Sequence, residues 1–189
     1  MELSATAKVI LGMLAMRPRS GYEIKAFADH STRFFWTASY GQIYPELRRL
    51  ADAGLIRGKA SPRGGRRRTV YELTRAGRRA LESWHTRPAE IFEYRDEGLL
   101  QLFFSDAVAP EGAAEIARHI AERSTETGDE LRAVEEQAEG KNPGAYAVLR
   151  FGIAFNDFIA DWFEREAAAF EEGVPLRKTD GSPKQEEKV

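Results

Sequence analysis

The stretch that decides the fold is Ser39–Ile56, SYGQIYPELRRLADAGLI. Ile43, Leu47, Leu50 and Ala51 recur at helical spacing and give one stripe to bury. The front end is unlike that of an ordinary core helix. Ser39 and Gln42 have the spacing of a capping box. Pro45 removes one N–H and crowds the carbonyl four residues earlier, which belongs to Gly41. Gly54 is placed to end the helix as a C′ glycine. Tyr40, Gln42, Tyr44, Arg48 and Arg49 occupy the rest of the surface, a set of donors and cations for which a core has little use.

Two helices are expected before it. Ser4–Met16 carries Val9, Ile10, Met13 and Leu14 behind a candidate N-cap, Ser4. Pro18 stops it. Ser20 and Glu23 form an S-x-x-E capping box that opens a second helix over about 21–30. After Gly54, Leu55–Lys59 and Thr69–Leu73 read as short strands around a Pro-, Gly- and Arg-rich turn. A fourth helix follows Thr74, with Ala76, Ala80, Leu81 and Trp84 on its apolar side.

Three helices and then a two-stranded hairpin describe a winged helix-turn-helix over residues 1–87. The third helix of such a domain lies in the DNA major groove, and the hairpin reaches the backbone or the minor groove. Charge agrees with a polyanionic partner. Met1–Thr86 holds 16 Lys plus Arg against 7 Asp plus Glu, a net of +9, while the remainder holds 12 against 23, a net of -11. The candidate DNA-binding residues are Ser39, Tyr40, Gln42, Tyr44, Arg48 and Arg49 on the helix, and Lys59, Arg63, Arg66, Arg67 and Arg68 on the hairpin. Gln42 has two readings, closure of the capping box or bidentate pairing with adenine. Tyr44 is a core residue or a phosphate donor. Arg48 and Arg49 are phosphate contacts or a solvated face. The A-form major groove of RNA excludes such a helix, which favours double-stranded DNA.

Pro88 and the acidic AEIFEYRDEG mark the boundary of a second domain, 88–173. LLQLFFSDA is a short apolar segment. Pro110 opens a long helix to about Glu139. Its positions 117, 120, 124, 127, 131, 134 and 138 form a heptad seam softened by two hydroxyls. A last helix, about Ala145–Glu171, has two apolar stripes. One is Tyr146, Leu149, Ile153, Ala160, Phe163, Ala167 and Phe170, interrupted by Asn156; the other is Phe151, Phe155, Phe158 and Trp162. Two stripes require two partners. The preceding helix is one, and a second copy of the chain is the natural other, so a homodimer is expected. Phe151, Phe155, Phe158 and Trp162 line either the dimer core, the plainer reading, or a cavity for a small aromatic ligand. Residues 174–189 are polar and are expected to form a disordered tail.

These residues resemble the PadR family of bacterial transcriptional regulators. The shared pattern falls on Gly41, Ile43, Tyr44, Pro45, Leu47 and Leu50, then Gly54, Leu55 and Ile56, then Tyr71, Leu73, Thr74 and Gly77. The acidic helices over about 99–171 resemble the C-terminal domain of the longer PadR subfamily, through LLQLFFSD and the DWFE of the last helix. The resemblance spans about nine-tenths of the chain. It implies a homodimeric regulator, usually a repressor, often released by a small ligand. Asp161-Trp162-Phe163 departs from the Trp-Leu that relatives often carry, which bears on local packing only.

Other classes fare worse. With no cysteine there are no disulfides, thiolate metal sites or cysteine nucleophiles. His30, His85 and His119 are scattered and lack partners at metal spacing. Glu135 and Glu136 are helix neighbours that point apart. PRGGRRR lacks the Lys-Ser/Thr ending of a phosphate loop, and no Gly-x-Ser-x-Gly occurs. An enzyme, a metal and a cofactor are therefore not expected. VILGMLAM, about eight residues, is far short of the ~20 that span a bilayer, so a cytoplasmic protein with no membrane partner is expected. Two regulatory modes remain open: ligand-responsive control, or control by a protein partner or by abundance without a ligand.

Overall fold

The computed structural model describes residues 2–32, 34–35, 40–63, 66–90, 94–138 and 142–173. The chain divides into two units, Met1–Phe92 and Glu93–Val189, each with its own core. The expected tail, 174–189, lies outside the described residues.

The first unit runs α1 (Ala5–Met16), β1 (Arg19–Ser20), α2 (Gly21–His30), α3 (Tyr40–Asp52), β2 (Ile56–Arg63), β3 (Arg66–Leu73) and α4 (Arg75–His85). Local chemistry sets the helix ends. Ser4 Oγ accepts from the Ala7 N–H at 3.0 Å and caps α1. At α2 the box closes both ways: the Glu23 N–H donates to Ser20 Oγ at 3.3 Å, and the Ser20 N–H donates to the Glu23 carboxylate at 2.7 Å. Gly54, at φ 70°, turns the chain out of α3, and the Leu55 N–H donates back to the Leu50 carbonyl at 2.9 Å. Ile10, Leu11, Ile24, Ile43, Leu47 and Leu50 are wholly buried and join the three helices in one core.

The sheet differs from the sequence reading in two ways. It has three strands, in the order β1-β3-β2. β1 is only two residues long, Arg19 opposite Tyr71 and Ser20 opposite Val70, too short for any periodicity to announce. Its Arg19 is buried, with the guanidinium 4.1 Å from the Phe27 ring centroid and Nε donating to the Met13 carbonyl at 3.4 Å. Burial holds its pKa below the usual arginine value. The strands of the wing are also longer than expected. Pairing continues from Ile56 opposite Leu73 out to Arg63 opposite Arg66, so Arg63 and Arg66–Arg68 belong to a ladder rather than a loop. Only two residues separate the strands, so the register carries the ladder through residues of low strand propensity. Pro62 is tolerated because β2 is an edge strand.

The second unit is helical: α5 (Glu97–Val108), a 3₁₀ turn (Pro110–Gly112), α6 (Ala113–Arg132), α7 (Glu135–Ala138) and α8 (Pro143–Glu172). LLQLFFSDA proves to be most of a helix, capped by Asp96, whose Oδ1 accepts from the Gly98 and Leu99 N–H groups at 2.8 and 3.3 Å. The long helix expected up to Glu139 is broken at Ala133–Val134. The break leaves Glu135 at the start of a new turn, where it accepts from the Tyr146 hydroxyl at 3.4 Å.

The buried face of α6 is Ala113, Ala117, Ile120, Ala121, Ser124, Gly128 and Leu131. This departs from the heptad seam. Pairs 113/124, 117/128 and 120/131 repeat every eleven residues, the 3.67-residue period that stays on one side of a nearly straight helix. Gly128 thus replaces Thr127 in the contact, and the Thr127 hydroxyl donates to the Arg123 carbonyl at 2.9 Å instead. Against this small-residue face α8 buries Phe163 and Ala167. Ion pairs Arg118–Glu171 and Arg132–Asp157 join the antiparallel helices toward either end.

Candidate DNA-binding surface

On α3, at 100° per residue, the wholly buried Ile43, Leu47 and Leu50 face inward. The opposite side carries Gly41, Pro45, Arg48 and Asp52, all exposed, with Gln42 and Tyr44 on the two flanks. Gly41 and Pro45 leave the middle of the outer face without bulk or an outward donor, while Gln42 and Arg48 stand beside it. Such a surface can lie close against a groove.

The flanking residues have different surroundings. Tyr44 is half exposed, and its ring covers the start of α2: a Cβ on Gly21 would come within 2.8 Å of it. Tyr44 thus supports α2 while part of its surface stays open. Arg48 is exposed and has no ion pair among the described residues. Arg49 is held by Glu46, with Nε and Nη2 donating to the two carboxylate oxygens at 2.9 and 2.6 Å. Glu46 in turn accepts from Ser4 Oγ at 2.7 Å. The N-cap of α1 is thereby tied to the middle of α3. These bonds, Arg49 first, hold the Glu46 carboxyl below the usual range.

The wing carries a similar pattern. Glu72 on β3 accepts from Arg57 Nε at 2.8 Å and from Lys59 Nζ at 3.0 Å, both on β2. Directly opposite residues share a face, so Arg57, Lys59 and Glu72 stand on the side away from Tyr71 and Leu73, which pack on the core. Arg57 and Lys59 lower the pKa of Glu72. Arg68 pairs with Glu23 at the start of α2. The Ser20 backbone N–H and then Arg68 hold the Glu23 carboxyl down to about 2.

Of the sequence-level candidates, Gln42, Tyr44, Arg48 and Arg49 are gathered on α3, and Lys59 and Arg68 on the wing. Ser39 lies outside the described residues, as do the side chains of Tyr40, Arg63, Arg66 and Arg67. What the sequence reading missed is the set of carboxylates Glu23, Glu46 and Glu72. Only Glu46–Arg49 had a visible signal, the i,i+3 spacing of opposite charges on a helix. The other pairs depend on strand register.

In the second unit the aromatic candidates separate. The Trp162 ring lies 4.7 Å from that of Phe163 and packs on the core of its own unit. Phe151 stacks on Phe155 at 5.8 Å, and Tyr94 meets Phe155 edge-on at 5.7 Å. Phe151 and Phe158 remain 68% and 59% exposed. α5 adds exposed Leu100, Phe103, Phe104 and Val108. Their i, i+3, i+4, i+8 spacing is a helical stripe already legible in the sequence. Among the described residues no cluster of His, Asp and Glu could hold a metal, and no helix is long and apolar enough to cross a membrane.

Two supporting helices, a third helix with an open polar face, and a two-stranded wing define a winged helix-turn-helix protein. The chain is similar to the PadR-like family of transcriptional regulators: the model of the transcriptional regulator PadR-like family matches residues 10–83, and that of the virulence activator alpha C-terminal domain matches residues 94–171. The negative transcriptional regulator PadR of Bacillus subtilis is 29% identical over 146 residues, covering 76% of this chain and 80% of that protein. The crystal structure of Bacillus subtilis PadR with operator DNA superposes with a TM-score of 0.80 at 27% identity, covering 88% of this chain and 99% of that one. The structure of the same regulator with p-coumaric acid gives 0.72 at 26% identity, covering 87% and 97%. These relatives are regulators, not enzymes.

Proposed function

We propose that the chain is a cytoplasmic, homodimeric repressor that binds a palindromic operator near its own or neighbouring genes and is released by a small aromatic ligand. The observation that carries the reading is the outer face of α3: small Gly41 and Pro45 flanked by Gln42 and Arg48, beside a basic two-stranded wing. Arg48 is the helix cation for phosphate, Gln42 the candidate base reader, and Tyr40, Tyr44 and the wing arginines supply backbone contacts. Dimerisation is supported by the exposed apolar side chains of the second unit, Leu100, Phe103, Phe104 and Val108 on α5 and Val148, Phe151 and Phe158 on α8. Two groove helices in a two-fold dimer read half-sites about one helical turn apart. Release by an aromatic acid is supported by the p-coumaric acid complex of the Bacillus subtilis relative.

The exposure of Phe151 and Phe158 favours the dimer core over a ligand cavity for that stripe. It gives weight to the second reading, control by a protein partner or by abundance without a ligand at that place. Selection of bound genomic fragments, followed by titration of the selected duplex with and without planar phenolic acids, tests both. A palindromic site upstream of the chain's own gene and weakened binding with one of the acids is the expected result. Binding to no duplex overturns the regulator reading, and binding that no acid changes favours the second reading. Arg48→Ala is expected to weaken all sequences alike and to lower the salt slope by roughly one unit.

A further inference from the structure

Most of the described cations of this surface are occupied. Among the described basic side chains of α3 and the two wing strands, Arg49, Arg57, Lys59 and Arg68 each pair with a carboxylate. Arg48 stands outside the pattern. The carboxylates are placed to compete. Glu46 takes both forks of the Arg49 guanidinium, the arrangement a phosphate would otherwise offer it. Glu72 bridges two cations that are 67% and 62% exposed. Glu23 is fixed by the Ser20 N–H at 2.7 Å while it holds Arg68.

We propose that Glu46, Glu72 and Glu23 are specificity-setting residues, which occupy the cations of the reading surface in the free protein and so restrain binding to duplex of arbitrary sequence. The inference rests on the DNA-binding reading above. Sequence-independent affinity comes from cations that neutralise phosphates and release counterions. A guanidinium already paired with a carboxylate brings no net charge to the exchange. On the operator, base contacts from α3 are added and do not depend on those cations. Withholding cations therefore lowers random-sequence binding more than operator binding, and the ratio of the two governs occupancy in a genome. Surface ion pairs of this kind contribute little to folding, so stability alone gives weak reason for four of them on one surface.

The test uses the full-length protein, the wild type beside Glu72→Gln, Glu46→Gln and Glu23→Gln. Glutamine keeps the shape of each side chain, and at position 23 it also preserves the capping box. Anisotropy titrations on the selected operator and on a random duplex of equal length, from about 50 to 200 mM salt, give the slope of log affinity against log salt. Glu72→Gln frees Arg57 and Lys59. It is expected to steepen the random-duplex slope by about one to two units, each unit adding about a fourfold loss of affinity across that range. Random-duplex affinity should rise more than operator affinity, narrowing their ratio. Glu46→Gln and Glu23→Gln should each add about one unit. Circular dichroism confirms that each variant is folded, and the exposed Glu72 pair tests the idea even if either of the others unfolds. Unchanged slopes and an unchanged ratio in folded Glu72→Gln overturn the inference while leaving the DNA-binding reading intact. A wild-type protein that binds no duplex overturns both.

Discussion

Gly77 sits in the first turn of α4, against the end of α3. A Cβ built there would lie 2.0 Å from the Leu55 carbonyl oxygen and 2.9 Å from Leu73 Cδ1. An ordinary carbon–oxygen contact is over 3 Å, so Gly77→Ala obliges α4 or Leu55 to move by more than an ångström. That carbonyl is also the acceptor for the Thr74 N–H at 3.1 Å and Thr74 Oγ1 at 3.0 Å. The same hydroxyl donates to the Gly54 carbonyl at 2.8 Å and accepts from the Gly77 N–H at 3.0 Å as the cap of α4. Two lost hydrogen bonds cost about 1–3 kcal/mol. Overpacking adds about 1–3 kcal/mol, and the helix propensity of alanine returns about 1 kcal/mol. The net expectation is a destabilisation of the first unit by about 1–5 kcal/mol. Because the chain has two units, a single unfolding midpoint would mix them. Native-state hydrogen exchange at the amides of Leu47 and Leu50, inside α3, reads the first unit alone. A change below about 0.5 kcal/mol there would show that the contact yields cheaply and that the steric argument is wrong.

Three further outcomes are expected. Gln42→Ala should cost about 1–3 kcal/mol on the operator and nothing on random duplex if the amide reads a base; an equal loss on both, in the same anisotropy assay, assigns Gln42 to the helix end instead. Phe158→Ala should weaken the dimer by about 1.5–3 kcal/mol per protomer, doubled by two-fold symmetry, so sedimentation should find monomer at concentrations where the wild type is paired, and an unaltered equilibrium places Phe158 outside the interface. For Glu23, the folded pKa of about 2 lies below the ordinary 4.5, so its contribution to stability is complete above about pH 4.5 and is lost as pH falls toward 2; the stability gap between wild type and Glu23→Gln should be flat above pH 5 and shrink below it, and a gap constant down to about pH 2.5 removes Glu23 from acid unfolding.

How much of this could be read in advance depended on range. Short-range chemistry was legible: the Ser4 and Thr74 caps, the Ser20–Glu23 box, the αL turn at Gly54 and the stripe of Ile43, Leu47 and Leu50 each follow from neighbours within a turn or two. The extent of the wing was not, because SPR and RRR have no strand propensity of their own and are extended by cross-strand pairing carried outward from Ile56 and Leu73. The seam of α6 departs from the heptad for a related reason. A heptad and an eleven-residue repeat coincide over the first turns, from Ala117 to Ser124. They part at Thr127 and Gly128, where Gly128 is the buried position and faces Asn156 and Asp157 of α8.

The charge count of the candidate site is legible in the sequence, and the pairing of those charges is not. A net of +9 over the first 86 residues described a basic surface, yet counting treats every arginine as available. Availability depends on which carboxylate the fold brings within reach. Glu72 meets Arg57 and Lys59 only because β2 and β3 pair in one register; a slip of a single residue would turn Glu72 to the core side and free both cations. Glu46 meets Ser4 across 42 residues of sequence, so the orientation of Arg49 on the groove helix rests partly on where α1 begins. A substitution at Ser4, remote in sequence from every proposed DNA contact, is thus linked to the charge of the reading helix through one carboxylate. The electrostatics of this surface are a property of its register and caps as much as of its arginines.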